Sequence, residues 1–196
     1  MILNPHTMPA RDRYKLVTGS VVPRPIAWVS STDGQGNANL APFSYFTIAS
    51  SDPLTMLFSV GHKPDGSKKD TWANAERTGE FVINIVDEST AAAMNETATT
   101  FAHGVSEFEM AGLTPLPGMK IHVPRVAEAP VAFECTLRQI LEIGSNAVIF
   151  GDVQLIHIRE DVYDGNYVHL ENLRPIGRLA GNRYCRVTDL FEMVRK

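Results

Sequence analysis

The sequence predicts a mainly β domain with added helices, built as a closed or partly closed β-barrel with the helices laid against it. Three observations carry this expectation. Strand signals dominate both ends of the 196-residue chain, helix signals cluster in its middle, and short turn motifs join strands where a parallel sheet would need long crossovers. The sheet is therefore expected to be mostly antiparallel, within one domain spanning residues 1–196, and 44% hydrophobic residues suffice for its core.

Residues 26–31 (IAWVSS) form the first predicted strand, ended by the turn chemistry of TDGQGN. In NLAPFSYF, which follows, Pro42 removes a ladder donor and holds Ala41 extended. That leaves backbone groups free for something other than a sheet; an irregular edge strand is the alternative. Residues 55–60 (TMLFSV) are the next strand, closed by GHKPDG. Within SKKDTWANAERTG, residues 71–77 read as a short helix, with Asp70 and Thr71 as cap candidates and Gly79 as its stop. Residues 81–86 (FVINIV) return to strand, with Phe81, Ile83 and Ile85 expected inside the barrel.

Two further helices follow. Residues 89–99 are alanine-rich behind a serine cap, and residues 106–109 (SEFE) form a capping box before Gly112. The proline-rich stretch GLTPLPGMKIHVPRVAEAP reads as an extended surface connection. Residues 131–143 and 147–158 are two long strands joined through GSN. GRLAGNRY, residues 177–184, places small residues beside polar ones, as a loop needing close backbone approach does.

The charge balance excludes one class of partner. With 18 Lys+Arg against 22 Asp+Glu there is no general basic field for nucleic acid, so any anion site must be local. Cys135 and Cys185 have neither metal-ligand nor disulfide-framework spacing, which makes a reducing, cytoplasmic setting the expectation. No apolar stretch reaches the length of a membrane span, and MILNPHTMPARDRYKL has no apolar leader core. Neither GxGxxG nor GxxxxGK[ST] occurs, and no triad, metal motif or carboxylate pair stands out.

One local feature does point to a ligand. Lys68 and Lys69 stand just before the helix end that already carries partial positive charge, where a purely structural helix gains more from acids. The arrangement implies an anion that the sequence does not itself supply.

Six segments, in order along nearly the whole chain, sharpen this: VPRPIAWVSSTDGQGNANLAPFSYF, DPLTMLFSVG, KKDTWANAERTGEFVINIV, GVSEFEMAGLT, PRVAEAPVAFECTL and PIGRLAGNRY. Together they resemble the flavin reductase-like proteins with an FMN-binding split barrel, which include flavoredoxins and the reductase components of two-component monooxygenases. The resemblance implies a homodimer with one FMN per subunit near the interface. It further implies NADH or NADPH as electron donor, hydride passing to flavin N5 without a catalytic side chain, and a partner monooxygenase that accepts reduced flavin. A non-enzymatic, flavoredoxin-like FMN carrier reduced by a protein donor is the alternative.

In similar proteins the Lys-Asp-Thr segment holds the flavin phosphate. Here Lys69 supplies charge, Thr71 a hydroxyl and the first helical turn its N–H groups, with Lys68 the weaker candidate. Asp70 fits a cap better than a ligand, because its carboxylate would repel a dianion. Arg24 is placed at the same phosphate or the pyrimidine edge, against the plainer reading of an arginine that starts a strand. By position in the matching motifs, Ser30, Asn39, Ala41, Pro42, Phe43, Ser44 and Ser59 are assigned to the ribityl chain and isoalloxazine edge, and Asn74 joins the cofactor-binding set. Asn182 and Tyr184 belong to a loop that closes over a flavin, that of the partner subunit included; Arg178 is divided evenly between this and a plain turn. Trp28 is expected in the core, His103 in a loop bordering the nicotinamide, and His157 on a strand as a structural residue.

Overall fold

The structure, a computed structural model, describes residues 1–99, 101 and 105–194. After a 3-10 turn at Pro5–Thr7 come α1 (Ala10–Ser20), β1 (Ala27–Thr32), β2 (Ala38–Phe43), β3 (Phe46–Ser51), β4 (Leu54–Gly61), α2 (Asp70–Thr78) and β5 (Glu80–Ile85). They are followed by α3 (Ala91–Glu96), α4 (Glu107–Met110), β6 (Pro115–Leu116), β7 (Arg125–Val126), β8 (Val131–Ile143), β9 (Asn146–Ile158), α5 (Leu170–Leu173), β10 (Ile176–Arg178) and β11 (Tyr184–Arg186). All five predicted strands are present within a residue or so of their expected ends. His103 lies outside the described residues.

Seven strands form one sheet in the order β2-β1-β5-β8-β9-β4-β3, antiparallel at every step. Its two edges, β2 and β3, are consecutive in the chain, joined only by Ser44 and Tyr45. Because each residue advances the chain by about 3.8 Å, the sheet must roll until its edges nearly meet. Ser59 N–H donates to Tyr45 O at 2.8 Å beside the seam, and the Phe43 and Phe58 rings lie 5.3 Å apart across it. The result is a barrel split between β2 and β3, as the expected fold class requires.

Alternation decides which residues fill it. Val29, Phe43, Met56, Phe58, Phe81 and Ile83 point inward, and Trp72 and Ala75 of α2 close one end. Ile85, expected inside with Phe81 and Ile83, is only half-buried. Gly151 lets β9 cross the interior: a Cβ there would stand 2.3 Å from Phe81 Cζ. Trp28 faces the other way, into a second core under α3 and α4, and its Nε1 donates to Thr97 Oγ1 at 2.9 Å.

Several local expectations differ from what forms. The helix at α2 takes Lys69 as its N-cap residue with no side-chain cap bond, and Asp70, inside the first turn, instead accepts from Lys63 Nζ at 2.8 Å. Before α3, Ser89 and Thr90 both turn to the Asp87 carboxylate, and Thr90 holds the N-cap position that the serine was expected to take. The capping box at α4 does not close, since Ser106 makes no cap bond. The proline-rich stretch is no mere surface connection: it contributes β6 and β7 and buries Ile121, Val123 and Val126 against the sheet. Glu134, fully buried on β8, holds it there by accepting from the backbone N–H groups of Met119, Lys120 and Ile121. Helix α1 was missed because most of its residues face solvent and it lacks a core-facing apolar stripe; only Thr18 is buried.

Candidate functional site

The start of α2 gathers donors that meet no acceptor among the described residues. Its hydrogen-bond ladder begins with Ala73 N–H donating to Lys69 O at 3.0 Å, so the N–H groups of Asp70, Thr71 and Trp72 precede it. Thr71 is buried, and its Oγ1 accepts from Asn39 Nδ2 at 2.9 Å, which turns the hydroxyl proton elsewhere. Trp72 is also buried, and its Nε1 has no partner among the described residues.

The two lysines part company here. Lys68 is bound to Glu76 at 2.6 Å and lies 4.9 Å over the Trp72 ring, so it is a structural cation. Lys69 is exposed and has no side-chain partner among the described residues. One unpaired ammonium, first-turn N–H groups and a hydroxyl with a spare proton form a set that fits a phosphate.

Strand β2 leads away from this point as a shelf. Asn39, Ala41 and Phe43 share the face turned to the barrel interior and α2. Pairing with β1 continues through Pro42, opposite Trp28, so the expected interruption of the ladder does not occur. Parity explains this. Leu40 N–H points outward and donates to Glu107 Oε2 at 3.2 Å; Pro42, two residues on, shares that orientation, and its missing donor falls on the outer side. Burial holds the Glu107 carboxyl above its ordinary range, against its backbone bonds, and the nearby Asp70 charge adds to the rise. From Asn39 to Ser44 the shelf runs about 17 Å at 3.3 Å per residue.

At the far end stands Arg24, buried and making four hydrogen bonds. Its Nη1 donates to Thr18 O at 2.6 Å and Val21 O at 2.8 Å, Nη2 to Leu179 O at 3.2 Å, and Nε to Ser44 Oγ at 3.3 Å. The guanidinium thus caps the C-terminus of α1 and ties it to the 179–183 turn, and the fork expected at a phosphate is occupied by carbonyls. Replacing it should cost stability more than binding. Arg24→Ala is expected to lower the unfolding free energy by about 3 kcal/mol, and Arg24→Lys to recover little, because an ammonium cannot span these directions. A urea midpoint within error of wild type would refute that role.

The remaining candidates scatter. Ser30 is fully buried on the Trp28 face of β1, where its hydroxyl donates to Pro124 O at 2.6 Å and accepts from Asn84, so it is not at the shelf. Its neighbour Ser31 takes the α2 face instead, accepting from the buried Asn74 Nδ2 at 3.2 Å. Ser59 Oγ accepts from Asn146 Nδ2 at 3.0 Å on the outer side of β4. Asn182 is exposed in the turn between β10 and β11; Tyr184 donates to Asn95 Oδ1 at 3.1 Å beneath the Arg178 guanidinium. A concavity beside Tyr184 is lined by Glu88, Ala91, Ile176, Cys185 and Arg186, on the α3 side rather than at the start of α2. His157 Nε2 lies 2.6 Å from Glu134 Oε1, a structural position as expected.

Three residues went unread in the sequence. Ser31 was recoverable from parity, since it shares the face of Ala27 and Val29. The reach of Glu107 to the β2 edge and the unpartnered Trp72 Nε1 depend on tertiary placement and carry no local signal. Among the described residues there is no group of three or more His, Cys, Asp or Glu placed to hold a metal, and no helix long and apolar enough to cross a membrane.

Comparison with known proteins agrees with the architecture. The model of the flavin reductase like domain matches residues 18–176. Nitrilotriacetate monooxygenase component B from Bacillus cereus is 41% identical, with a TM-score of 0.95 and 98% of each chain covered. The 2-nitrobenzoate 2-nitroreductase NbaA of Pseudomonas fluorescens is 34% identical, with a TM-score of 0.92 over 100% of this chain and 96% of that one. A Shewanella frigidimarina protein with a split barrel domain shares the fold at 19% identity, TM-score 0.87, with all of both chains covered.

Proposed function

The chain belongs to the flavin reductase-like family, and from that premise we propose that it is an FMN-binding flavin reductase that takes hydride from NADH or NADPH. The observation that carries the reading is the donor set at the start of α2: Lys69 unpaired, Thr71 with a proton to give, and N–H groups ahead of the first helical bond. These residues would hold the phosphate of FMN, while β2, with Ala41, Pro42 and Phe43, would lie along the rest of the cofactor. Bound flavin supplies the two-electron chemistry, and the chain's contribution is orientation and polarity.

The proposal extends to assembly. The protein would work as a homodimer, and it would pass reduced flavin to a partner monooxygenase, the latter supported by the similarity to a monooxygenase component B.

The test is an absorbance spectrum of the purified protein with added FMN, followed by anaerobic NADH and then NADPH. Protein-bound flavin absorbance that bleaches with one nucleotide is the expected result and identifies the donor. Bound flavin that neither nucleotide bleaches would replace the reductase with a flavoredoxin-like carrier, and no bound flavin would end both readings.

A further inference from the structure

Strands β1 and β2 grip α2 at two points. Ser31 and Asn39 are register partners across the β1–β2 pair, so their side chains leave the sheet on the same face. Asn74 Nδ2 donates to Ser31 Oγ at 3.2 Å, and Asn39 Nδ2 donates to Thr71 Oγ1 at 2.9 Å. Thr71 and Asn74 stand three residues apart on the helix, which places both bonds on one side of α2. Together they fix how far α2 is rotated and how far it is slid along the two strands.

The Thr71 hydroxyl differs from the other helical hydroxyls. Thr18, Ser20 and Thr78 donate to the carbonyls four residues back, Tyr14 O, Leu16 O and Asn74 O, at 2.8, 2.8 and 2.9 Å. Thr71 lies in the first turn, where the residue four back, Ser67, precedes the helix and its O already accepts from Lys63 N–H. Thr71 Oγ1 therefore receives a bond from Asn39 and gives none among the described residues. The Asn39 amide occupies one lone pair of that oxygen and bars its proton from pointing back into β2. A buried donor in this state gains from any acceptor that arrives on its free side.

We infer that Asn39 is a positioning residue that touches no flavin atom: it aims the Thr71 hydroxyl proton at the phosphate and so sets a preference for FMN over riboflavin. The inference rests on the proposed FMN reading of this site. It moves Asn39 away from the ribityl chain, where motif position had assigned it, to a place behind the phosphate. Lys69, exposed on a flexible stem, supplies charge without direction. The Asn39–Thr71 pair supplies the direction.

A double-mutant cycle tests this, with FMN binding read by fluorescence in wild type, Asn39→Ala, Thr71→Val and the double variant, and with riboflavin as the ligand that lacks only the phosphate. Asn39→Ala is expected to weaken FMN binding about 3- to 30-fold in the wild-type background, the range of coupling between side chains in contact, and by less than about 2-fold in the Thr71→Val background. Riboflavin should bind wild type and Asn39→Ala equally. Asn39→Asp, nearly the same in shape, gives an independent reading: its carboxylate takes the Thr71 proton, so FMN should weaken further than in Asn39→Ala while riboflavin does not. Equal factors in both backgrounds, or a riboflavin loss that matches the loss for FMN, would overturn the positioning role and leave the FMN site standing. A wild-type protein that binds no FMN would overturn the reading of the site and this inference together.

Discussion

Lys69→Ala is expected to weaken FMN binding by about 10- to 100-fold, the factor that follows from losing a charge-assisted contact of ~1.5–3 kcal/mol. The substitution is clean, because Lys69 is exposed and has no side-chain partner among the described residues to be left stranded. Thr71→Val should act in the same direction with nearly the same volume. It removes the hydroxyl and also leaves Asn39 Nδ2 without its acceptor. Lys68→Ala separates the two roles: it breaks the pair with Glu76 and the contact with Trp72, so it should lower stability and leave FMN affinity within a few-fold of wild type. Fluorescence titration of FMN reads all three. Unchanged affinity in both Lys69→Ala and Thr71→Val would remove α2 from the cofactor site.

Glu134→Ala should be the most damaging single change to the fold, at ~3–5 kcal/mol, the usual range for breaking a buried charged network. Its carboxylate is fully buried, accepts from three successive backbone N–H groups and faces His157 Nε2. Truncation would strand those donors under the 117–124 stretch and release Ile121 and Val123 from the sheet. Burial alone would raise this carboxyl, yet the bonds from His157 and the three N–H groups outweigh it and hold it below its ordinary value of 4.5. A carboxyl lowered by folding adds stability above its unfolded value, and that stability is lost as pH falls through the folded one. Wild-type stability should therefore decline in acid below pH 4.5, and Glu134→Gln should flatten that slope as well as lower the plateau. Parallel pH profiles from urea unfolding would show that the acid sensitivity arises elsewhere.

The contrast between what could be read in advance and what could not has a physical pattern. The five predicted strands were legible because β-branched and aromatic runs ended in unambiguous turns, as at TDGQGN, where Asp33 accepts from Gln35 and Asn37. Strands β2 and β3 were not, because each owes its pairing to a place at the seam rather than to its own alternation. The helix start with Lys69 and Thr71 could be singled out as a candidate because charge placed against a dipole is a local anomaly. The role of Arg24 was not legible, since its acceptors come from α1 and from a turn more than 150 residues downstream. Ser30 and Ser31 differ by one step of a two-residue period, and motif position alone could not choose between them.

The seam also bears on how this protein behaves at high concentration. A rolled sheet that stays open keeps two rims, and bare rims recruit foreign strands into ribbons that grow without limit. Both are obstructed here. On β2 the Glu107 carboxylate occupies the outward Leu40 N–H, and Pro42 offers none at the next outward step. On β3 the register slips between Ile48 and Ser50, so no flat template persists. The molecule can thus keep a slot between its rims without becoming a seed for fibres, and contacts between copies are steered toward side chains and away from backbone.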